Sequence, residues 1–188
     1  MQNVSQINKQ HGAALIVSLV ILLLMMILGL AAIRTSSMEE KMAGNTMDLE
    51  IAFQAAETAL RTGEAWIASL SLEPEATTDG SNVIWVGDAM DPVATNAKNW
   101  WQERNGTWWA SNAVQVTDAI TFETTAGTTS IVNPRYIVEY QQFVNDDLLV
   151  GTGGGPSTGK VFYRITARGT GGSANSRILL QSTMAKRF

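Results

Sequence analysis

The sequence predicts an α+β fold in which one long N-terminal helix packs on an antiparallel sheet of about four strands. Three observations predict it. Residues 13–33 form an apolar run without a charged residue. Its continuation to about residue 70 mixes apolar and charged positions at helical spacing. The C-terminal half holds four runs rich in β-branched and aromatic residues. A helix with one apolar stripe and a sheet with one apolar face can cover each other around a single small core.

The helix comes first. "HGAALIVSLVILLLMMILGLAAIRTSSMEEKM" occupies residues 11–42. Its apolar part is long enough to cross a bilayer, which takes roughly 20 residues of helix. It is too long for the core of a secretory signal, and "RTSSMEEKM" after it holds no small-residue cleavage site. A cleaved signal is therefore disfavoured, and an uncleaved single-span anchor is the plain alternative. Lys9 precedes the run while Arg34 and Lys41 follow it, so charge bias does not orient it.

Beyond the run, Met38, Met42, Leu49, Phe53, Ala56, Leu60, Gly63, Ile67 and Leu70 repeat at helical spacing, with Glu39, Glu40, Lys41, Asp48, Glu50, Glu57, Arg61 and Glu64 between them. This is an amphipathic pattern. Residues 13–34 thus read as a transmembrane half and 35–72 as an amphipathic half. Phe53, Ala56 and Leu60 are expected to face the sheet. No proline occurs before Pro74, so residues 13 to about 71 can form one helix of roughly 88 Å at 1.5 Å per residue. "LEPEATTDGSN" (72–82) ends it with proline and turn formers.

Residues 73–188 read as a β-rich head. "NVIWVG" (82–87), "PRYIVEYQQFV" (134–144), "KVFYRITARG" (160–169) and "SRILLQSTMA" (176–185) are the strands; "TGGSAN" joins the last two as a hairpin. "AITFETTAGTTSIV" (119–132) is a candidate short pair. Four of the six tryptophans, Trp100, Trp101, Trp108 and Trp109, lie in "NWWQERNGTWWAS" around a candidate tight turn at Asn105-Gly106. Core packing, a subunit interface and stacking on a ligand are the three uses open to them.

Composition narrows the chemistry. The 188 residues carry a net charge of -4, no cysteine and one histidine, His11. That balance gives no electrostatic case for nucleic acid. Without cysteine there is no disulfide, thiol nucleophile or zinc–thiolate site. "GGPSTGKV" (154–161) matches a phosphate-binding loop only up to Lys160; Val161 stands where the magnesium-binding hydroxyl belongs, and a strand follows instead of a helix. "NDDLL" (145–149) pairs two carboxylates but offers too few oxygens for calcium. No cofactor, metal or catalytic residue is expected.

Together, a leader ending in Gly12, the long apolar helix, its amphipathic half and the β-rich end resemble a type IV pilin precursor. "EEKMAGNTMDLEIAFQAAETALRTGEAWI" (39–67) and "YRITARGTGGSANSRILLQSTMAKRF" (163–188) are similar to the PilX family of minor pilins in pseudomonad-type pili. The resemblance implies that residues 1–12 are a leader cut by prepilin peptidase between Gly12 and Ala13, with N-methylation of Ala13. It also implies an inner-membrane subunit with a periplasmic head, which joins other minor pilins and the major pilin and ends in the extracellular pilus. Since the cut precedes the apolar run, the anchor survives, and the mature chain has neither histidine nor cysteine for a triad. Most pilins carry glutamate at the fifth residue after the cut, where this chain has Val17. Most major pilins also carry a helix-breaking proline in the apolar segment, which this chain lacks. The expected role is a minor pilin that primes assembly and sits at or near the pilus tip. The alternatives are a type II secretion pseudopilin lacking the glutamate, or a tip adhesin for a surface or glycan.

Overall fold

The computed structural model describes residues 13–117, 133–146, 159–173 and 175–188. The chain divides into two compact units, Met1–Asn45 and Thr46–Phe188. Helix α1 runs Ala13–Ser69. In the first unit every described residue lies on α1 and every one is exposed. The helix is long and apolar enough to cross a membrane. Two hydroxyls there bond within the helix: Ser18 and Thr35 donate to the Leu15 and Ala31 carbonyls at 2.9 and 3.1 Å. A hydroxyl bonded within its own helix is compatible with lipid, where no water competes.

The second unit holds one mixed sheet. Strands β1 (Ile84–Val86), β3 (Arg135–Asn145), β4 (Gly159–Thr170) and β5 (Arg177–Lys186) lie side by side in that order, and the short β2 (Val114–Gln115) also pairs with β3. The pairs β3–β4, β4–β5 and β2–β3 are antiparallel. The β1–β3 pair is parallel, with Ile84 opposite Val138, so the sheet is not antiparallel throughout. Parallel neighbours need a crossover of a dozen or more residues. Here helices α2 (Trp100–Glu103) and α3 (Gly106–Asn112) lie in that connection. The candidate pair at 119–132 lies outside the described residues.

The sheet is covered on both faces. Tyr136 and Val138 of β3 join Ile67, Leu60, Tyr163 and Ile165 in a core under α1. Ile137, between them in sequence, packs with Trp85, Met90, Trp100 and Trp109 in a second core. Residues 136–139 are therefore all buried, because successive side chains point to opposite faces and both are roofed.

Helix α1 meets the sheet through small residues: Ala52, Ala55, Ala56, Ala59 and Gly63 are buried, with Leu60 and Ile67 beside them. A methyl at Gly63 would sit 2.9 Å from Ile165 Cγ2 and 3.0 Å from the Tyr136 ring. A methyl at Gly169 of β4 would run into the Ala52 carbonyl and the Ala56 amide nitrogen. Phe53, expected to face the sheet, is instead 42 % exposed, while Ala56 and Leu60 are at 0 and 9 %. The helix backbone lies directly on Gly169 at this level and leaves no volume for a ring. Phe53, about 100° around the helix from Ala52, stays on the flank.

Two polar clamps hold α1 on the sheet, and both come from the β4–β5 hairpin. At one end the Asp48 carboxylate accepts from the Ser173 amide (3.1 Å), the Ser173 hydroxyl and the Ser176 hydroxyl (2.5 Å). The Ser173 hydroxyl first, then that of Ser176, hold its carboxyl below the usual range. At the other end Lys186 Nζ donates to the carbonyls of Ile67, Ala68 and Leu70 at 2.8, 2.6 and 2.5 Å. The last turn of α1 has no basic residue of its own; Lys186 supplies the cation that satisfies its free carbonyls.

Two outcomes follow from this packing, both read by urea unfolding of the full chain in mild detergent. Gly169→Ala should destabilise the second unit by about 1–3 kcal/mol, the usual scale of overpacking, whereas Phe53→Ala should cost less than about 1 kcal/mol. Tyr163 tests alkaline stability. Its hydroxyl is buried without a partner among the described residues, and burial pushes its pKa up to about 12. The folded state therefore keeps a proton that the unfolded chain releases near pH 10, and stability present below that pH is lost as pH rises towards 12. Tyr163→Phe should leave stability at pH 7 unchanged or higher and should flatten the decline between pH 10 and 12.

Candidate functional site

In the first unit the apolar surface is itself the candidate site. Leu15, Ile16, Val17, Leu19 and their successors present an unbroken apolar cylinder, with Val17 at 55 % exposure. Contiguous apolar exposure on this scale marks a lipid or protein contact. Ala13 is the first residue of α1, and Gly12 lies outside the described residues. Val17 carries no group that could bond or neutralise a charge in such a setting.

The tryptophans form a layer on the sheet face opposite α1. Trp100 packs at 5.5 Å from Trp109, 5.6 Å from Trp101 and 5.8 Å from Trp108, and Trp85 of β1 lies 5.8 Å from Trp108. Trp100 and Trp109 are each 1 % exposed, so these two are core residues and offer no interface, correcting one of the roles open to them. Trp101 and Trp108 are half-buried against the same core. Guanidinium groups lie over both rings: Arg164 over Trp101 at 5.1 Å and Arg104 over Trp108 at 4.8 Å. Such contacts occupy the ring faces that a ligand would stack on. Asn105-Gly106 is not a hairpin turn; Asn105 caps α3, accepting from the Trp108 amide at 2.9 Å.

At the heart of this layer is a charge the sequence pattern does not reveal. Glu139 is fully buried. Its two carboxylate oxygens accept from Arg164 at 2.7 and 2.9 Å, and the Trp100 indole donates at 3.2 Å. Arg164 also reaches exposed Asp88 at 3.3 Å. In "YIVEYQQ", Glu139 falls where a two-layer protein would point a side chain into water. Only the tryptophan roof makes that position internal.

The remaining two motifs are described only in part. Lys160 and Val161 lie within β4, with Val161 1 % exposed, so no helix N-terminus follows Lys160; residues 154–158 lie outside the described residues. Asp146 pairs with Arg187 at 2.8 Å, and residues 147–149 are outside the described set. Among the described residues no group of three or more carboxylate or imidazole side chains could hold a metal.

Breaking the buried pair should be costly from one side only. Arg164→Met leaves Glu139 buried and unpaired and should cost about 3 kcal/mol or more. Adding Glu139→Gln, which removes the stranded charge, should recover part of that loss. Urea unfolding followed by the near-ultraviolet tryptophan signal measures both; equal stabilities for the single and double variants would mean that the pair is not coupled.

No curated protein and no solved structure matches the chain. Two family descriptions do. PilX N-terminal matches residues 11–61, the apolar half of α1 and the beginning of its sheet-bound half. Type IV pilus assembly protein PilX C-term matches residues 57–186, the rest of α1 and all the strands of the sheet. The second match alone takes in more than half of the chain, and the two meet on the helix face that carries the core. The exposed apolar helix, the α+β head and these two matches make the chain a member of the PilX family, a minor pilin of the type IV pilus.

Proposed function

We propose that this minor pilin primes pilus assembly together with other minor pilins at the inner membrane and ends at or near the pilus tip. The observation that carries the reading is Val17. In a filament core the glutamate of an incoming subunit would neutralise the N-terminal ammonium of the subunit docked before it. Two unit charges 4 Å apart attract by about 4 kcal/mol at an effective dielectric of 20, and an unpaired charge in an apolar core is costly. A chain with Val17 cannot supply that carboxylate. It still presents its own ammonium at Ala13 once prepilin peptidase has cut after Gly12. It can therefore receive a subunit but is poorly suited to dock beneath one, which suits the head of an assembly.

The same reading divides the chain into a leader (1–12), a membrane half (13–34), a sheet-bound half (35–72) and a periplasmic head (73–188). N-methylation of Ala13 belongs to it. Its partners are prepilin peptidase, the other minor pilins and then the major pilin. The role is structural and needs no cofactor.

Three measurements test it. Intact mass of the filament-associated protein should show loss of residues 1–12; a retained leader sinks the processing step, and a bulky residue at position 12 should block the cut. Deletion of the protein should reduce pilus number without altering the shaft, and gold-labelled antibody should mark sheared pili at one end in few copies. Val17→Glu should permit insertion along the shaft, provided the carboxylate finds a partner or takes up a proton in the membrane. Regular decoration of the whole shaft by the wild-type protein would reject the tip position.

A further inference from the structure

The β3–β4 ladder places Arg135 directly opposite Arg168, and on the next strand Arg177 stands opposite Thr170. Like charges facing each other across a sheet are destabilising, and the chain as a whole carries a net charge of -4. Arg135 and Arg168 line a cleft of about 260 Å³ between α3 and the sheet, together with Gly106, Ala110, Asn133 and Thr170.

The cluster is incompletely used. Arg135 is committed: its guanidinium donates to the Ala110 and Ala113 carbonyls at 3.0 and 3.3 Å and to Gln115 Oε1 at 2.7 Å. Arg168 has no acceptor among the described residues. Its one contact of note is the Trp109 ring, 5.7 Å from the guanidinium carbon. Thr170 also lines the cleft, and its Oγ1 is buried without a partner among the described residues. Burial and then the charges of Arg177 and Arg135 press the Arg168 pKa down, so an arriving anion would relieve a repulsion already present.

We propose that this cleft binds a carboxylate, borne by an acidic segment of another pilus subunit. A guanidinium fork matches the two oxygens of a carboxylate. Exposed Ala110 on the cleft wall suits the methylenes of a glutamate side chain, which an inorganic anion does not possess. The volume holds one or two side chains, less than the roughly 300–1,000 Å³ of ordinary small-molecule sites. The inference rests on the assembly role above, which supplies other subunits as partners.

The test is calorimetric titration of the full chain, in neutral detergent, with hexaglutamate and with hexaglutamine. Hexaglutamate should bind and weaken with salt, while hexaglutamine should not bind. Arg168→Gln should lower the affinity at least about tenfold, as loss of a charge-assisted pair does. Gly106→Leu should do the same with every charge kept: its first side-chain carbon fits at 3.5 Å from Arg168, and the rest occupies the cleft. An unchanged near-ultraviolet tryptophan spectrum certifies that each variant is folded. Absence of hexaglutamate binding, or equal affinity in wild type and both variants, overturns the site. Tighter binding of oligogalacturonate than of hexaglutamate moves the carboxylate to a glycan and overturns the subunit assignment. Pilus counts separate this inference from the assembly role. A deletion without effect rejects that role, whereas a deletion that lowers the count beside an Arg168→Glu strain that does not rejects only the cleft as a subunit contact.

Discussion

The second unit depends on the near-contact of two backbones, α1 against β4 at Gly169. No side chain can stand between them, so the helix must present alanine and glycine along the line of approach. Alanines bury little apolar area each, and burial stabilises in proportion to area. The large payload therefore comes from the sheet, through Tyr136, Tyr163, Ile165 and Val138, and from the rings on its far face. The close approach also makes position along the helix axis matter. A slide of one residue would put a larger side chain over Gly169, and the clamps at Asp48 and Lys186 hold the register from both ends.

Much of this was readable from the chain. Helical spacing and the absence of proline predict one helix to about residue 71, and α1 ends at Ser69. Alternation and β-branched residues predict four strands, and β1, β3, β4 and β5 fall within a residue or two of those runs. Periodicity reports which side of an element is apolar, not how near its neighbour stands. That is why Phe53, the largest apolar residue on the stripe, looked like the anchor while Ala52 and Ala55 drew no notice. The direction of β1 was equally hidden, since pairing sense is set by the path of the connection rather than by the strand's own residues.

The tryptophan layer shows a second limit. Trp100 and Trp109 are adjacent to half-buried rings in sequence, and only the fold brings Trp85, Met90 and Ile137 to them. Glu139 reads as a surface residue until that layer covers it. The same covering gives the head two cores on one sheet, so β3 is packed like a central strand of a three-layer protein although the described residues form one sheet. Polar groups in such an interior must be fully paired, and the Glu139–Arg164–Trp100 set meets that condition on both carboxylate oxygens.

The Lys186 clamp has a temporal side. Its nitrogen closes the end of α1 across 119 residues of chain, and the Ser173–Asp48 bond spans 125. Contacts of such sequence separation form slowly, because loop closure is costly before they repay it. Helix α1 precedes the β4–β5 hairpin in the chain, so neither clamp exists until that hairpin has been made. Until then the alanine face is uncovered and its last carbonyls are uncapped. The head thus passes through a stage in which its helix is held by nothing the chain itself provides.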